Sequence, residues 1–441
     1  MTFDSAYNYL LSLSNFPRQE YMNDHEHCAV YLERIQFLLD ILGNPEQVIP
    51  HYIHVTGTSG KGSVCLLLQS ILSTSGKKTG VLISPHPTRI TERWQIDGKE
   101  MSEAIFVLLI EQLKPALETY TQTAPYDMLS FHELTTVLGL LYFAKEAVDW
   151  AILEVGCGGR YDSTNIIPYK DVAVITNIGL DHTQIIGDTK EKIAYEKAGI
   201  IHTPCNVFTM EKKAAIQNII ETECATHQAP FHYVIADDTY IIEKSTLTGT
   251  TFSYHQVTYQ LHTLGAHQIH NAILAIEIAR SLTIDHDAIV TGINNAILPI
   301  RMEVVSSQPT IILDSAHNED KITSTVNTIL HLSPASAVHL VLGFSENKDI
   351  RPMLHSLQQL HPQTITCTRN TSNHFRKVLH PKQLADMCMN IFPEATTIPF
   401  LDPQQAIMHA KAQCKKHDIL LVTGSVFLAG ELRGELTNFF D

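Results

Sequence analysis

Four clusters of polar residues stand at the ends of apolar runs, where a folded chain gathers its chemistry. The first, Gly57-Thr58-Ser59-Gly60-Lys61-Gly62-Ser63, follows the run 52–56 and precedes the helical run 64–72. Glycines let backbone N–H groups turn inward around phosphate oxygens, a helix N-terminus adds partial positive charge, and Lys61 can reach a terminal phosphate. The strict Walker spacing would need glycine at Val55 and Ser or Thr at Gly62, so this is a variant loop. An ordinary strand-to-helix turn is the competing reading, and it leaves Gly-Lys-Gly-Ser unexplained.

The second cluster begins at Glu154, which closes an apolar run and opens Gly156-Cys157-Gly158-Gly159-Arg160. A carboxylate beside a phosphate loop is a position for Mg²⁺, although a glutamate there also reads as a solvated strand terminus. The third follows the run 172–177. His182 reads equally as a divalent-ion ligand or a hydrogen-bonded structural residue, and Lys197 in the next helical stretch reads as a solvated surface cation. The fourth, Asp314-Ser315-Ala316-His317-Asn318, follows the run 310–313, and Asp314 or Ser315 could equally cap a helix. Arg301 lies just after a break in periodicity, where it could swing onto a nucleotide or form an interdomain salt bridge. His25, His27 and Cys28 fit no common zinc spacing and read as a polar loop.

The elements that must position these clusters are legible from periodicity. Apolar strand-length runs at 52–56, 78–83, 150–155, 172–177, 310–313, 338–342 and 419–423 alternate with stretches of helical period. That is the pattern of parallel α/β units, with strands covered on both faces. Between 236 and 263 short Thr-rich alternating segments predict a small antiparallel hairpin insert, and a helix is expected over 268–281. Pro299 interrupts the period, so a domain boundary is expected there: 1–298 as an ATP-binding domain and 299–441 as a second α/β domain.

Composition narrows the function classes. The 441 residues carry 31 Lys+Arg against 46 Asp+Glu, a net charge of −15, which argues against nucleic acid as a partner. No apolar run has the length of a membrane helix, and the N-terminus lacks a signal-peptide layout, so a soluble cytoplasmic protein is expected. The eight scattered cysteines include no C-x-x-C pair and predict free thiols.

Taken together, these motifs resemble the folylpolyglutamate synthase/dihydrofolate synthase family of the Mur-ligase superfamily. The loop at 57–63 resembles its G-T-N-G-K-G-S, with Ser59 in place of Asn. Ser84-Pro85-His86 with Ile90-Thr91-Glu92-Arg93 resembles a mobile loop of that family. Residues 154–165 resemble E-V-G-x-G-G-R-x-D-A-T-N. Leu180-Asp181-His182-Thr183, Glu196-Lys197-Ala198-Gly199-Ile200, His267-Gln268 with Asn271-Ala272, and Thr423-Gly424-Ser425 continue the series.

The resemblance implies a P-loop-type, mostly parallel ATPase domain with a small antiparallel insert, then a smaller Rossmann-like domain. It implies an ATP-dependent amide ligase that activates a carboxylate as an acyl phosphate and joins it to L-glutamate. Carried over by motif, Gly57, Thr58, Ser59, Gly60, Lys61, Gly62, Ser63, Asn271, Arg301 and Asp314 would contact nucleotide. Ser84, Glu154 and His182 would ligate magnesium, Lys197 would be carbamylated, and His317 would act near the incoming amine. Glu33, Arg34, Phe131, His132, Glu133, Gly158, Gly159 and Arg160 would face a dihydropteroate or reduced-folate acceptor.

Several positions depart from the family text: His132 stands where Phe is expected, Ile300 where P-G-R-x-E has Gly, and Ser315 where D-G-A-H-N has Gly. A monomer is the family expectation. Two alternatives remain open at this stage: a ligase of the same architecture with a non-folate acceptor, such as a cell-wall precursor or a γ-glutamyl chain, and a non-catalytic P-loop nucleotide switch.

Overall fold

A computed structural model describes residues 1–16, 27–181, 183–201, 205–236, 239–333, 335–373 and 377–437. Compactness divides the chain into two units, neither of them continuous in sequence. The first comprises Met1–Ser84, Thr91–Thr239 and Asn271–Ile293, and the second comprises Pro85–Ile90, Tyr240–His270 and Asn294–Asp441.

The first unit is built on eight strands: β1 His51–Thr56, β2 Thr79–Leu82, β3 Trp94–Ile96, β4 Lys99–Glu100, β5 Trp150–Glu154, β6 Val172–Ile175, β7 Asn206–Thr209 and β8 Phe231–Tyr233. Their order is β4-β3-β2-β5-β1-β6-β7-β8. All pair in parallel except β3 and β4. The strand β1 is central and buried along all but its first residue, which is why it reads as a continuous apolar run rather than an alternating one. Its register sets Val55 opposite Glu154 and Thr56 opposite Ile175, so β1, β5 and β6 end together. The loops that follow them therefore emerge on one edge, the usual binding edge of a parallel sheet.

In the second unit, β9 Tyr240–Thr246, β10 Gly249–Tyr254 and β11 Val257–Leu261 form an antiparallel meander. The expected hairpin insert thus has three strands. Its second turn is the two residues His255 and Gln256, both at positive φ, between the paired Tyr254 and Val257. By compactness the meander groups with the second unit. Leu247 and the following Leu264 pack into the second unit's core with Ile312 and Leu340.

That core surrounds a six-stranded sheet: β12 Glu303–Ser307, β13 Thr310–Leu313, β14 Val338–Leu342, β15 Thr364–Cys367, β16 Thr396–Pro399 and β17 Ile419–Thr423, in order β12-β13-β17-β14-β15-β16. Only β12 runs antiparallel to its neighbour. Alternate residues enter opposite cores: Ile312, Leu340, Leu342 and Leu421 one, and Ile311, Leu313, Val341, Leu420 and Val422 the other. The helix expected at 268–281 spans Ala266–Ser281. All eight cysteines are free thiols. Among the described residues no helix is long and apolar enough to cross a membrane.

Candidate active site

The loop after β1 turns on two glycines whose φ angles, 144° at Gly57 and 83° at Gly60, other residues rarely adopt. Space imposes the same choice. A Cβ on Gly57 would stand 1.8 Å from Thr176 Oγ1, and one on Gly60 would stand 2.4 Å from Asn271 Oδ1. Asn271 is thereby brought against the loop from the helix Ala266–Ser281. The segment after β6 pins the rest: Thr58 N donates to Asn177 O at 2.9 Å, Ser59 N to Asn177 Oδ1 at 2.8 Å, and Thr176 Oγ1 to Ser59 O at 2.6 Å. The helix Lys61–Thr74 then starts with no side-chain cap, which leaves its first-turn N–H groups to an anion. Gly62 and Ser63 are buried in that turn.

Two lysines converge on this loop. Lys61 Nζ and Lys197 Nζ each donate to Gly57 O at 3.0 Å. Lys197, a surface cation by its local sequence, is only 5% exposed; burial first, then the Lys61 charge, lowers its pKa to about 7. The surface-cation reading therefore fails, because the helix Lys190–Ala198 packs this face against the glycine loop rather than toward water. A narrow cleft is lined here by Gly57, Lys61, Gly156, Cys157, Asp181 and Lys197 among others.

Glu154 ends β5 buried, and its Oε2 accepts from Ser84 N at 2.9 Å, so the two proposed magnesium ligands are neighbours. The solvated-terminus reading of Glu154 does not hold. His182 lies outside the described residues. Asp181 also lines the cleft, and its position directly before His182 in Leu180-Asp181-His182-Thr183 is the signal in the sequence that marks it.

Of the residues expected to face an acceptor, His132 lies in the first turn of the helix Phe131–Lys145 and rests on the glycine loop. A Cβ at Gly156 would be 2.3 Å from His132 Nε2. The same nitrogen is 3.3 Å from Asp162 Oδ2. Asp162 also accepts from the backbone N–H groups of Gly156, Cys157 and Thr164 and from Thr164 Oγ1. Burial works to raise its pKa, and His132 with these donors outweighs it, holding the carboxyl well below the usual range. Asp162 is the hub that fixes the glycine loop, and it was not singled out from sequence because its partners are contributed by separate segments.

Arg34 is buried in a bidentate pair with Glu133, at 2.6 and 2.7 Å, and in a third bond to Asp127 at 2.7 Å. Burial opposes its charge, and the two carboxylates outweigh burial and raise its pKa. Glu133 also closes a capping box with Ser130. Glu33 points elsewhere, toward an open groove of about 430 Å³ shared with Phe37 and Tyr126. Phe131 lies under the buried Arg93 guanidinium at 5.5 Å. Thr56 Oγ1 donates to Gly158 O at 2.7 Å, and Asp162 N to Gly159 O at 3.2 Å. Arg160 is turned to Glu223 Oε1 at 2.8 Å and over the Tyr195 ring at 4.1 Å, so its guanidinium serves packing of that face.

In the second unit, Asp314 Oδ1 accepts from Met302 N at 3.2 Å and Oδ2 from Thr325 Oγ1 at 2.5 Å. Arg301 Nη1 donates to Ser315 Oγ at 2.6 Å. Neither Asp314 nor Ser315 caps a helix; Asn318 does, accepting from Lys321 N at 3.0 Å. His317 Nδ1 lies 2.8 Å from Ser315 O, so that nitrogen carries the hydrogen and Nε2, 3.4 Å from Lys321 Nζ, holds the lone pair.

A phosphate loop at the end of a central parallel strand, an adjacent strand-end carboxylate and two converging lysines, together with a second parallel-sheet unit, define an ATP-dependent ligase of the Mur class. Residues 55–279 match the Mur ligase middle domain and residues 300–426 the Mur ligase glutamate ligase domain. The chain is 31% identical over 423 residues to the dihydrofolate synthase/folylpolyglutamate synthase of Bacillus subtilis, covering 92% of this chain and 94% of that protein. It superposes on folylpolyglutamate synthase from Thermotoga maritima with a TM-score of 0.83 at 28% identity, covering 99% of this chain and 97% of that one. It also superposes on Escherichia coli FolC in complex with DHPP and ADP with a TM-score of 0.82 at 28% identity, covering 99% and 98%. The chain belongs to the folylpolyglutamate synthase/dihydrofolate synthase family.

Proposed function

We propose that this ligase joins L-glutamate to the carboxylate of a folate-type acceptor, either dihydropteroate, a reduced folate or both, with ATP and magnesium. The observation that carries the reading is the convergence of Lys61 and Lys197 on Gly57 O beside the Glu154–Ser84 pair. The acceptor class rests on the family and on the DHPP complex of the Escherichia coli relative. The acceptor carboxylate attacks the γ-phosphorus of ATP, ADP leaves, and the glutamate amine then displaces phosphate from the acyl carbon. Lys61, the first-turn amides and Ser63 neutralise phosphoryl oxygens, and Asn271, Arg301 and Asp314 contact the nucleotide. His317 Nε2, the ring nitrogen that holds the lone pair beside Lys321, takes the amine proton. Arg34, Phe131, His132 and Glu133 shape the acceptor side.

Magnesium suits the site because Glu154 offers a hard carboxylate, tied to the Ser84 backbone beside the phosphate loop, and such an ion takes few protein ligands beside its phosphates. When bound it supplies charge neutralisation at the phosphoryl oxygens, held by Glu154, Ser84 and His182. Lys197 suits carbamylation because burial gives it a neutral amine near pH 7. Its nitrogen would bond CO₂ carbon and release one proton, leaving a carboxylate. Full activity of Lys197→Ala at low bicarbonate would refute the carbamate, and unchanged ATP turnover in Glu154→Ala would refute the metal assignment. A monomer in the cytoplasm is the corresponding cellular form.

The deciding assay is phosphate release from ATP with Mg²⁺ and L-glutamate, with dihydropteroate and tetrahydrofolate in separate reactions and products weighed by mass spectrometry. Turnover with one or both names the activity. ATP binding without stimulation by either overturns the folate reading and favours a non-folate acceptor, for which His132 in place of Phe is the pointer.

A further inference from the structure

Arg301 stands between two residues in the left-handed region, Ile300 at φ 51° and Met302 at φ 53°. A β-branched side chain rarely adopts this conformation, and it persists only where the surroundings over-determine it. Here the surroundings are the segment after β13. Ser315 N donates to Ile300 O at 2.9 Å, and Met302 N donates to Asp314 Oδ1 at 3.2 Å. On the other side Ile300 N donates to Glu303 Oε2 at 2.8 Å, and Thr263 Oγ1 donates to Arg301 O. These bonds fix the backbone of the turn and say nothing about where the guanidinium points.

The guanidinium is aimed by a different contact. Its Nη1 donates to Ser315 Oγ at 2.6 Å and makes a long 3.5 Å contact with Ile300 O. The Ser315 backbone is itself held, since its N–H is spent on Ile300 O and its carbonyl accepts from His317 Nδ1. A buried hydroxyl on a fixed backbone, accepting from a charged donor, is a stronger directional restraint than a neutral hydrogen bond. Removing that hydroxyl leaves each backbone tie of the turn in place and takes one directing bond from the cation.

We propose that Ser315 is a positioning residue that aims Arg301 at the nucleotide, an inference that rests on the reading of Arg301 as a nucleotide contact. Ser315 restricts the rotamers of a long side chain, so it acts on how well ATP is held and not on the acyl-transfer step. The test is steady-state kinetics in ATP at saturating acceptor and glutamate for Ser315→Ala, Ser315→Gly, Ser315→Thr, Arg301→Ala and the double variant Arg301→Ala/Ser315→Ala. Ser315→Ala and Ser315→Gly are expected to raise KM for ATP about ten-fold with kcat nearly unchanged. Ser315→Thr restores the hydroxyl and the wild-type KM. The double variant should be no worse than Arg301→Ala alone.

Unchanged KM in both hydroxyl-less variants would overturn the proposal, as would a Ser315→Ala effect that adds in full to that of Arg301→Ala. An Arg301→Ala variant with wild-type KM for ATP would instead overturn the nucleotide assignment, and the Ser315 role with it.

Discussion

Lys61 and the unmodified Lys197 set two amino groups on one carbonyl oxygen, and burial with the Lys61 charge lowers the Lys197 pKa to about 7. Lys61→Ala is therefore expected to lower kcat by about 10²–10³-fold, the scale of losing one preorganised donor to developing charge. In the uncarbamylated protein its melting temperature should stay level or rise, because a positive charge beside the Lys197 amine is removed. Phosphate-release kinetics and thermal melts check the two halves of that expectation. At His132 the expected effect is on the acceptor. His132→Ala strips the glycine loop and Asp162 of one contact and should raise KM for the acceptor about ten-fold while leaving KM for ATP unchanged. Equal shifts in both constants would mean that His132 supports the loop and not the acceptor.

At the scale of elements, the helix Lys190–Ala198 and the glycine loop approach too closely for a side chain. A Cβ on Gly159 would meet Lys197 O at 2.9 Å and Glu196 O at 3.0 Å, both backbone atoms that yield little. Gly159→Ala should destabilise the protein by about 1–3 kcal/mol, read by urea unfolding, and should lower activity through displacement of Lys197. Two effects compete at Ile300. Relieving its left-handed backbone with glycine gains about 1–2 kcal/mol. Deleting a fully buried isoleucine costs about 2–5 kcal/mol, so Ile300→Gly should be net destabilising. The strands that carry the site were legible because each is buried on both faces and reads as an apolar run. The short edge strands β4 and β12 were not, since an exposed or half-exposed strand of a few residues has no distinctive period.

Across the whole molecule, a buried polar chain runs beneath the sheet: Lys170 Nζ to His54 Nδ1 at 3.1 Å, and His54 Nε2 to Thr164 Oγ1 at 2.7 Å, which in turn bonds Asp162. Lys170 Nζ also donates to Asn165 Oδ1 and Ile200 O. Burial pulls the Lys170 pKa from 10.5 down to about 7. Between those values the unfolded chain binds more protons than the native one, so this group makes stability rise with pH across that window and is neutral below it. From pH 7 to 9 wild type should gain on Lys170→Met by up to about 1.4 kcal/mol per pH unit. A difference independent of pH in chemical denaturation would contradict this.

The sequence alone determined the α/β class, the phosphate loop, the strand-end acid Glu154 and the family, because these follow from local periodicity and from residues adjacent in the chain. Only tertiary structure decided what distant residues do to one another. It buried Lys197 against Gly57, made Asp162 the clamp of the glycine loop, turned Arg160 away to Glu223, and set Ser315 on Arg301. Burial, pKa and hydrogen-bond partners are properties of surroundings assembled from separate segments, and no stretch of sequence carries them by itself.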